Sequence, residues 1–176
     1  WGSEQQESFD KIKKLMTDDV MLAHYDPDAE LVLSCDASAA GIGAVLQQPD
    51  ENGELKPVHF TSRSLSDAER NYAQIEREAL AIIYGVQKFR QYLLGRTFTL
   101  LTDHQPLVKL FGEQTAVPQL AAARIKRWAL ILSAYSYEVK YISTKENVCA
   151  DYLSRAPLQD SRVMSEIQRE EDDVML

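Results

Sequence analysis

The sequence predicts an α/β domain in which a mixed five-stranded sheet is flanked by helices. Three short β-prone runs joined by tight turns lie between residues 30 and 61, which is typical of an antiparallel meander. A long amphipathic segment then leads into a fourth strand, and alternating residues farther along predict a fifth. The predicted order of elements is therefore β-β-β-α-β-α-α-β-α.

Length and composition suit one domain with appended ends. The chain has 176 residues, of which 45% are hydrophobic and 26% are charged, as is usual for a protein with a buried core. No apolar run approaches the roughly 18 residues of a membrane-spanning helix. The two cysteines provide neither a disulfide framework nor a metal-ligand spacing, which favours an intracellular, reduced protein. Because the chain begins at Trp1, we expect it to be a piece of a longer protein.

The net charge of −8 argues at first against a nucleic-acid partner. The acidic excess lies at the ends, however, since residues 1–35 carry a net charge of −5 and residues 160–176 a net charge of −4. The middle of the chain, residues 36–159, carries a net charge of +1. If cations neutralised some of its acids, this part of the surface would be basic and could bind nucleic acid.

The N-terminal third is predicted to contain one helix and three strands. The helix spans about residues 4–17, and the strands span about 30–36, 41–48 and 58–61. Asp36 is a single acid at the end of the first, apolar strand, so it needs a cation, a helix N-terminus or solvent nearby. Gly41 and Gly43 leave the backbone bare close to Asp36, which predicts close approach of an anionic ligand.

The middle of the chain predicts a helix between two parallel strands. Ser66 and Glu69 form a capping-box pattern for a short turn or for the next helix. Apolar residues at helical spacing then run over 74–94, with Glu78 close to the apolar stripe, and a strand over 98–102 ends at Asp103. Since parallel strands end at the same edge of a sheet, Asp36 and Asp103 are expected to meet there.

The last third is predicted to contain three helices, one strand and a tail. The helices span about residues 104–111, 119–134 and 147–155, and an alternating strand near the sheet edge spans 137–142. The final helix carries Asp151. After Pro157 the chain is acidic and poor in apolar residues, which predicts a linker or tail.

Four carboxylates are thus expected at one edge of the sheet. They are Asp36, Glu78, Asp103 and Asp151. Crowded carboxylates repel one another and take up protons unless cations neutralise them. Oxygen ligands without a histidine or cysteine set favour Mg²⁺ or Mn²⁺, and two such ions form the clamp used for in-line displacement at phosphorus.

Five ordered sequence blocks resemble the ribonuclease H domain of gypsy-type LTR-retrotransposon polyproteins. The blocks are Cys35-Asp-Ala-Ser-Ala-Ala-Gly-Ile-Gly-Ala-Val-Leu-Gln47, Tyr72 with Glu76-Arg-Glu-Ala-Leu-Ala-Ile82, Phe89-Arg-Gln-Tyr-Leu93, Leu101-Thr-Asp-His-Gln-Pro-Leu107 and Asn147-Val-Cys-Ala-Asp-Tyr-Leu-Ser-Arg155. The resemblance implies a ribonuclease-H-like fold over residues 29–157, after a connector from the reverse transcriptase over 1–28 and before an acidic tail over 158–176. It covers roughly residues 1–157.

The resemblance also implies hydrolysis of the RNA strand of RNA/DNA hybrids with two Mg²⁺ ions, for which Mn²⁺ could substitute. By motif, Asp36 would bridge both ions and Asp151 would help to hold the ion that activates water. Glu78 and Asp103 would hold the ion at the leaving 3′-oxygen. Implied partners are the hybrid and the polymerase domain of the same polyprotein, in the cytoplasm within a retroelement particle, or in the nucleus.

Contacts with nucleic acid are expected from Ser38, Arg124, Lys126 and Arg127, although the three basic residues could equally form a solvated face. Many relatives carry a histidine in the loop before the last acid, whereas the loop over 141–147 has none. Its Lys145 and Glu146 are weak candidates to replace that histidine.

For several other polar and aromatic residues, a structural role is the simpler interpretation. Glu76 is expected to be a solvated helix residue, and His104 to serve the start of a helix rather than act as an acid or base. Cys35 and Cys149 are expected to pack as small hydrophobic side chains. Tyr84, Trp128 and Tyr135 have the spacing of core residues rather than of base-stacking platforms.

Two other classes of protein stay open. One is a catalytically silent ribonuclease-H-like connector module, although such a module would be expected to lack at least one of the four acids. The other is a DNA-cutting relative such as an integrase. The Asp36-Ala-Ser and Thr102-Asp-His-Gln blocks argue against an integrase, as does the absence of a zinc-binding His/Cys array.

Overall fold

A computed structural model of the chain describes residues 2, 6, 7, 22–112 and 123–156. The five strands are β1 (Leu31–Ala37), β2 (Gly41–Pro49), β3 (Leu55–Ser64), β4 (Thr97–Thr102) and β5 (Ser136–Tyr141). The helices in the described part are α1 (Asp67–Arg70), α2 (Gln74–Lys88), α3 (Arg90–Leu93), α4 (Gln105–Gly112), α5 (Ala123–Leu132) and α6 (Val148–Arg155).

The strands form one mixed sheet with the order β3-β2-β1-β4-β5. β1 pairs antiparallel with β2, which pairs antiparallel with β3. β1 also pairs parallel with β4, and β4 pairs parallel with β5. The predicted meander, the parallel placement of β4 beside β1 and the edge position of β5 are therefore confirmed.

Helices cover both faces of the sheet. A Cβ atom at Gly85 of α2 would lie 3.0 Å from the side chains of Cys35 and Ala44, whereas one at Gly43 would lie 2.6 Å from Leu153 of α6. Because successive strand residues point to opposite faces, Gly43 and Ala44 place α6 and α2 on opposite sides of the sheet. The end of β1 is thus enclosed between the two helices.

The sheet and α2 form the hydrophobic core. All seven residues of β1 are buried, and so are the nine residues 78–86 of α2. Tyr84 belongs to this core, while Trp128 and Tyr135 are partly buried against it, as predicted. Among the described residues, no helix is both long enough and apolar enough to cross a membrane.

Two predicted elements differ from the observed ones. The helix predicted over 74–94 is interrupted at Phe89, whose N–H donates to both Gln87 and Gly85. This tighter turn keeps Phe89 and Leu93 buried in the core. β3 extends well beyond the predicted 58–61 because it pairs with β2 along nine residues, with an irregularity opposite Leu46 and Gln47. Because β3 also contains charged residues and a proline, an apolar pattern indicates only part of its length.

The capping box at Ser66 caps the N-terminus of the short helix α1. The Ser66 hydroxyl accepts from the Glu69 N–H, and the Glu69 carboxylate accepts from the Ser66 N–H. Most of the predicted helix over 4–17, the first residues of the helix over 119–134 and the tail over 158–176 lie outside the described residues.

Candidate active site

Asp36 lies near the carboxyl end of β1, opposite Gly43 of β2. Only 5% of its surface is exposed. The hydroxyl of Ser154 in α6 donates to its Oδ2 atom at 2.5 Å. This buried acid therefore has a partner that the sequence did not suggest, a hydroxyl group of the last helix.

Glu78 comes from the second turn of α2 and is also 5% exposed. Its Oε2 atom accepts from the backbone N–H of Ala37 at 3.1 Å. Its Oε1 atom accepts from the side-chain amide of Gln74, one turn earlier in the helix. These two bonds direct the carboxylate toward the end of β1.

Asp103 follows the last residue of β4 and is half-buried. The parallel pairing of β4 with β1 brings it to the same edge of the sheet as Asp36. Its Oδ2 atom accepts from the Thr144 hydroxyl at 2.7 Å. Thr144 belongs to the loop between β5 and α6, so that loop contacts the site.

Three of the four predicted acids converge. Asp36, Glu78 and Asp103 each offer one oxygen atom, and these atoms all lie within 4.8 Å of one another. Asp151 does not belong to this group. Its Oδ1 atom accepts from Nε of Arg155 at 2.8 Å and from Nη2 at 2.6 Å. We refer to Asp36, Glu78 and Asp103 as the acid cluster.

The acid cluster is electrostatically strained without a cation. Burial, together with the charges of Asp36 and Asp103, raises the pKa of Glu78 to about 8. Burial also raises the pKa of Asp36, against the opposing effect of the Ser154 hydrogen bond. A set of carboxylate oxygens with unbalanced charge fits a hard divalent cation.

The four residues expected to contact nucleic acid have different surroundings. The Ser38 hydroxyl donates to the Ser154 carbonyl at 2.7 Å and accepts from the N–H groups of the turn. Arg124 bonds Glu76 and stacks 3.8 Å above the Tyr72 ring. Lys126 and Arg127 are exposed on α5. Ser38 and Arg124 thus already have intramolecular partners.

Three structural expectations were wrong. Glu76 is not simply solvated, because it pairs with Arg124 and its carboxylate caps the Ala73 N–H. Cys149 is exposed, unlike the buried Cys35, because α6 turns it away from the sheet. The bare backbone at Gly43 receives helix α6 rather than a ligand, since a Cβ atom there would meet Leu153 and the α6 backbone.

His104 and the loop before α6 have structural contacts. The His104 carbonyl accepts from the Leu107 N–H at the start of α4, as predicted. Its Nδ1 atom is buried without a partner among the described residues, and burial lowers the pKa of the ring. Glu146 folds back on Ser143, and Lys145 is exposed.

Sequence reasoning missed the residues that hold the acids. These are Gln74, Thr144 and Ser154. Helical spacing could have indicated Gln74, which stands four residues before Glu78. No local pattern indicates Thr144 or Ser154, which lie 41 and 118 residues from their partners.

Comparison with known proteins gives consistent matches in sequence. A family model described as "RNase H-like domain found in reverse transcriptase" matches residues 1–100. The retrovirus-related Pol polyprotein from transposon 297 of Drosophila melanogaster is 42% identical over 88% of this chain and 14% of its own length. The transposon Tf2-3 polyprotein of Schizosaccharomyces pombe is 33% identical over 88% of this chain and 12% of its own length. The chain thus spans less than a sixth of either polyprotein.

Solved structures show the same fold at low identity. The native prototype foamy virus protease-reverse transcriptase has a TM-score of 0.61 and 17% identity, covering 82% of this chain and 19% of its own. LC11-RNase H1, solved in complex with an RNA/DNA hybrid, has a TM-score of 0.53 and 18% identity, covering 70% of this chain and 93% of its own. The predicted ribonuclease-H-like fold is thereby confirmed.

Proposed function

This chain belongs to the RNase H-like domains of retrovirus-related Pol polyproteins, and on that basis we propose that it hydrolyses the RNA strand of RNA/DNA hybrids. The observation that carries the proposal is the acid cluster, in which oxygen atoms of three different elements lie within 4.8 Å of one another. A structural module would have no need to keep three carboxylates, two of them buried, in mutual repulsion.

The acid cluster would hold divalent metal ions, for which we propose Mg²⁺, with Mn²⁺ as a substitute. Such ions would activate a water molecule and stabilise charge on the leaving oxygen. Asp36 is the central ligand in this proposal, with Glu78 and Asp103 on one side of it. Asp151 would contribute to a second ion site. Its carboxylate would then bind the ion either while keeping its hydrogen bonds to the Arg155 guanidinium or after breaking them.

The chain's own residues prepare this site for an anionic substrate. Buried carboxylates keep strong interactions with cations because the surrounding protein screens them less than water does. Lys126 and Arg127, exposed on α5, would bind the phosphate backbone of the hybrid. Backbone contacts predict weak sequence preference and strong salt dependence, and the 2′-hydroxyl group would distinguish RNA from DNA.

The proposed setting is reverse transcription, with the polymerase domain of the same polyprotein as partner. The transposon Pol relatives and the foamy virus reverse transcriptase support this setting. LC11-RNase H1, which is solved with an RNA/DNA hybrid, supports the substrate. We propose a cytoplasmic location within a retroelement particle, or a nuclear one. We also keep the division into a connector over 1–28, a nuclease domain over 29–157 and a tail over 158–176.

The test is cleavage of a labelled RNA/DNA hybrid by the purified chain with Mg²⁺ or Mn²⁺. We expect the parent to cut only the RNA strand, and Asp36→Asn and Glu78→Gln each to lose at least 100-fold in rate. Glu51→Gln, an exposed change in the β2–β3 turn, serves as the matched control and should cut like the parent.

The other outcomes distinguish the alternatives. Cutting that survives both changes would mean that the site is wrong or that a contaminant is active. Equal cutting of double-stranded DNA would favour an integrase-like nuclease. A parent that neither cuts nor gains stability from divalent ions would favour the silent connector module.

A further inference from the structure

We propose that Ser154 is a positioning residue that holds the Asp36 carboxylate in the orientation needed for metal binding. This inference rests on the proposed function, because it assigns a role within the same site. Ser154 belongs to neither the acid cluster nor the predicted ligands. It is fully buried at the C-terminal end of α6.

The first observation is the contact itself. The Ser154 hydroxyl donates to Oδ2 of Asp36 at 2.5 Å, within the short range of hydrogen bonds to charged acceptors. The carbonyl of Asp151 lies 2.9 Å from the same hydroxyl. A hydroxyl group has one hydrogen, and the ionised carboxylate is the stronger acceptor of the two. The bond therefore fixes one oxygen of Asp36 and leaves the other for a cation.

The second observation is that the backbone of Ser154 is itself held in place. Its carbonyl accepts from the Ser38 hydroxyl at 2.7 Å, at the end of β1. Its N–H lies so close to β2 that a Cβ atom at Gly43 would be 2.9 Å away. The hydroxyl therefore has little freedom to leave Asp36.

The third observation concerns Asp151, which lies three residues before Ser154 on the same helix. The Ser154–Asp36 bond ties α6 to β1 at the level of the acids, so it helps to hold Asp151 at a fixed distance from Asp36. Groups that orient metal ligands in this way commonly change metal affinity about 10- to 100-fold when they are removed. One hydroxyl group thus aligns acids from two elements.

The test measures Mn²⁺ binding by electron paramagnetic resonance of the free ion, together with metal-free thermal unfolding and hybrid cleavage. We expect Ser154→Ala to bind Mn²⁺ about tenfold more weakly than the parent. The matched control is Asn147→Ala, which removes another side-chain bond that ties α6 to β1, from Asn147 to the Cys35 carbonyl, but leaves the Asp36 bond. It should lower the unfolding temperature at least as much while keeping parental Mn²⁺ affinity.

A second variant keeps the test decisive if Ser154→Ala fails to fold. Ser154→Cys retains a weaker donor of similar shape. Its Mn²⁺ affinity should lie between those of the parent and Ser154→Ala. If Ser154→Ala is unfolded, the Mn²⁺ affinity of Ser154→Cys should still be lower than that of the parent. Parental affinity in the folded Ser154 variants would overturn the inference while leaving the proposed function intact. Equal weakening by Asn147→Ala would overturn it too, since general loosening of α6 would then explain the effect. A parent that neither binds Mn²⁺ nor cuts hybrid would overturn the proposed function as well.

Discussion

At the scale of single residues, the central feature is a pair of acids buried where water cannot stabilise their charge. Asp36 and Glu78 are each 5% exposed, and the half-buried Asp103 adds its own repulsion. Hydrogen bonds from the Ser154 hydroxyl, the Ala37 N–H and the Gln74 amide compensate only part of this cost. The remaining repulsion is a cost in folding stability that a bound cation would remove.

The burial of Glu78, together with this repulsion, predicts how the stability of the metal-free protein changes with pH. The pKa of Glu78 rises from 4.5 to about 8 on folding, so between these values the native chain keeps a proton that the unfolded chain releases. The free energy of unfolding should therefore fall as the pH rises from about 4.5 to about 8. Glu78→Gln should remove this contribution and should gain stability relative to the parent as the pH rises.

Urea unfolding in EDTA between pH 5 and pH 8 measures the effect. Glu51→Gln, which changes an exposed acid, should follow the parent across the whole range. Parallel curves for the parent and Glu78→Gln would contradict the prediction. The expected fall in stability with pH is due to the acid cluster as a whole, because the raised pKa of Asp36 changes stability in the same direction.

At the scale of elements, close backbone packing of α6 on β2 brings the last helix to the site. Gly43 has no room for a side chain, because a Cβ atom would lie 2.6 Å from Leu153 and 2.9 Å from the Ala150 carbonyl. The buried side chain of Asn147 adds a bond to the Cys35 carbonyl at 3.1 Å. Helix α6 therefore docks by its backbone, and Asp151 and Ser154 come with it.

Gly43→Ala should push α6 away from the sheet. We expect a loss of about 1–3 kcal/mol in the free energy of unfolding, as is usual for overpacking. The rate of hybrid cleavage should fall further than the smaller fraction of folded protein would explain. Gly112→Ala is the matched control, because its new methyl group would stand at an ordinary 3.7 Å from Val139. Denaturant unfolding and cleavage rates test both, and a Gly43→Ala protein with parental values would contradict the close approach.

Two of the three basic residues of α5, Arg124 and Arg127, should differ in role, the first being structural and the second binding substrate. Arg124 pairs with Glu76 and stacks on Tyr72, so Arg124→Ala should cost about 1–2 kcal/mol of stability. Arg127 is exposed, so Arg127→Ala should keep the free energy of unfolding within about 0.5 kcal/mol of the parent. It should weaken hybrid binding and reduce by about 1 the slope of the logarithm of the binding constant against the logarithm of the salt concentration. Fluorescence anisotropy at several salt concentrations measures the slope, in an Asp36→Asn background that is expected to prevent cleavage of the hybrid. The same slope with and without Arg127 would contradict a phosphate contact.

At the scale of the whole molecule, the charge of −8 conceals an uneven distribution. The acidic excess lies in residues 1–35 and 160–176, whereas residues 36–159 have a net charge of +1 even when the acid cluster is counted as ionised. Cations bound by the cluster would make this central part more positive. Metal binding and attraction of a polyanionic substrate are therefore expected to reinforce each other.

Divalent ions should consequently stabilise the whole fold. A ligand that binds only the native state, at a concentration 100 times its dissociation constant, adds about 2.7 kcal/mol to the free energy of unfolding. Saturating Mg²⁺ should therefore raise the unfolding temperature of the parent. The increase should vanish in Asp36→Asn, and NaCl at equal ionic strength should not reproduce it. Differential scanning fluorimetry is sufficient for the comparison. Equal stabilisation of the parent and Asp36→Asn would place the ion elsewhere.

Much of the fold and part of the site could be predicted because they are encoded in local patterns. Alternating and helical periodicities depend on neighbours a few residues apart, so they predicted the order of the elements and placed Asp36 and Asp103 at strand ends. Parallel pairing then brought these two acids to one edge. The continuous helix over 74–94 and the short β3 were wrong because core packing of Phe89 and strand pairing override local preference.

The sequence by itself thus determined the class of fold and the order of its elements, and it placed Asp36 and Asp103 at the ends of neighbouring strands. Only the tertiary structure decided what those acids touch. Ser154 meets Asp36 across 118 residues, Arg124 meets Glu76 across 48, and Thr144 meets Asp103 across 41. It also decided that Gly43 makes room for α6 rather than for a ligand. The physical reason is that periodicity records which face of an element is buried, whereas side-chain contacts depend on how separate elements pack in three dimensions.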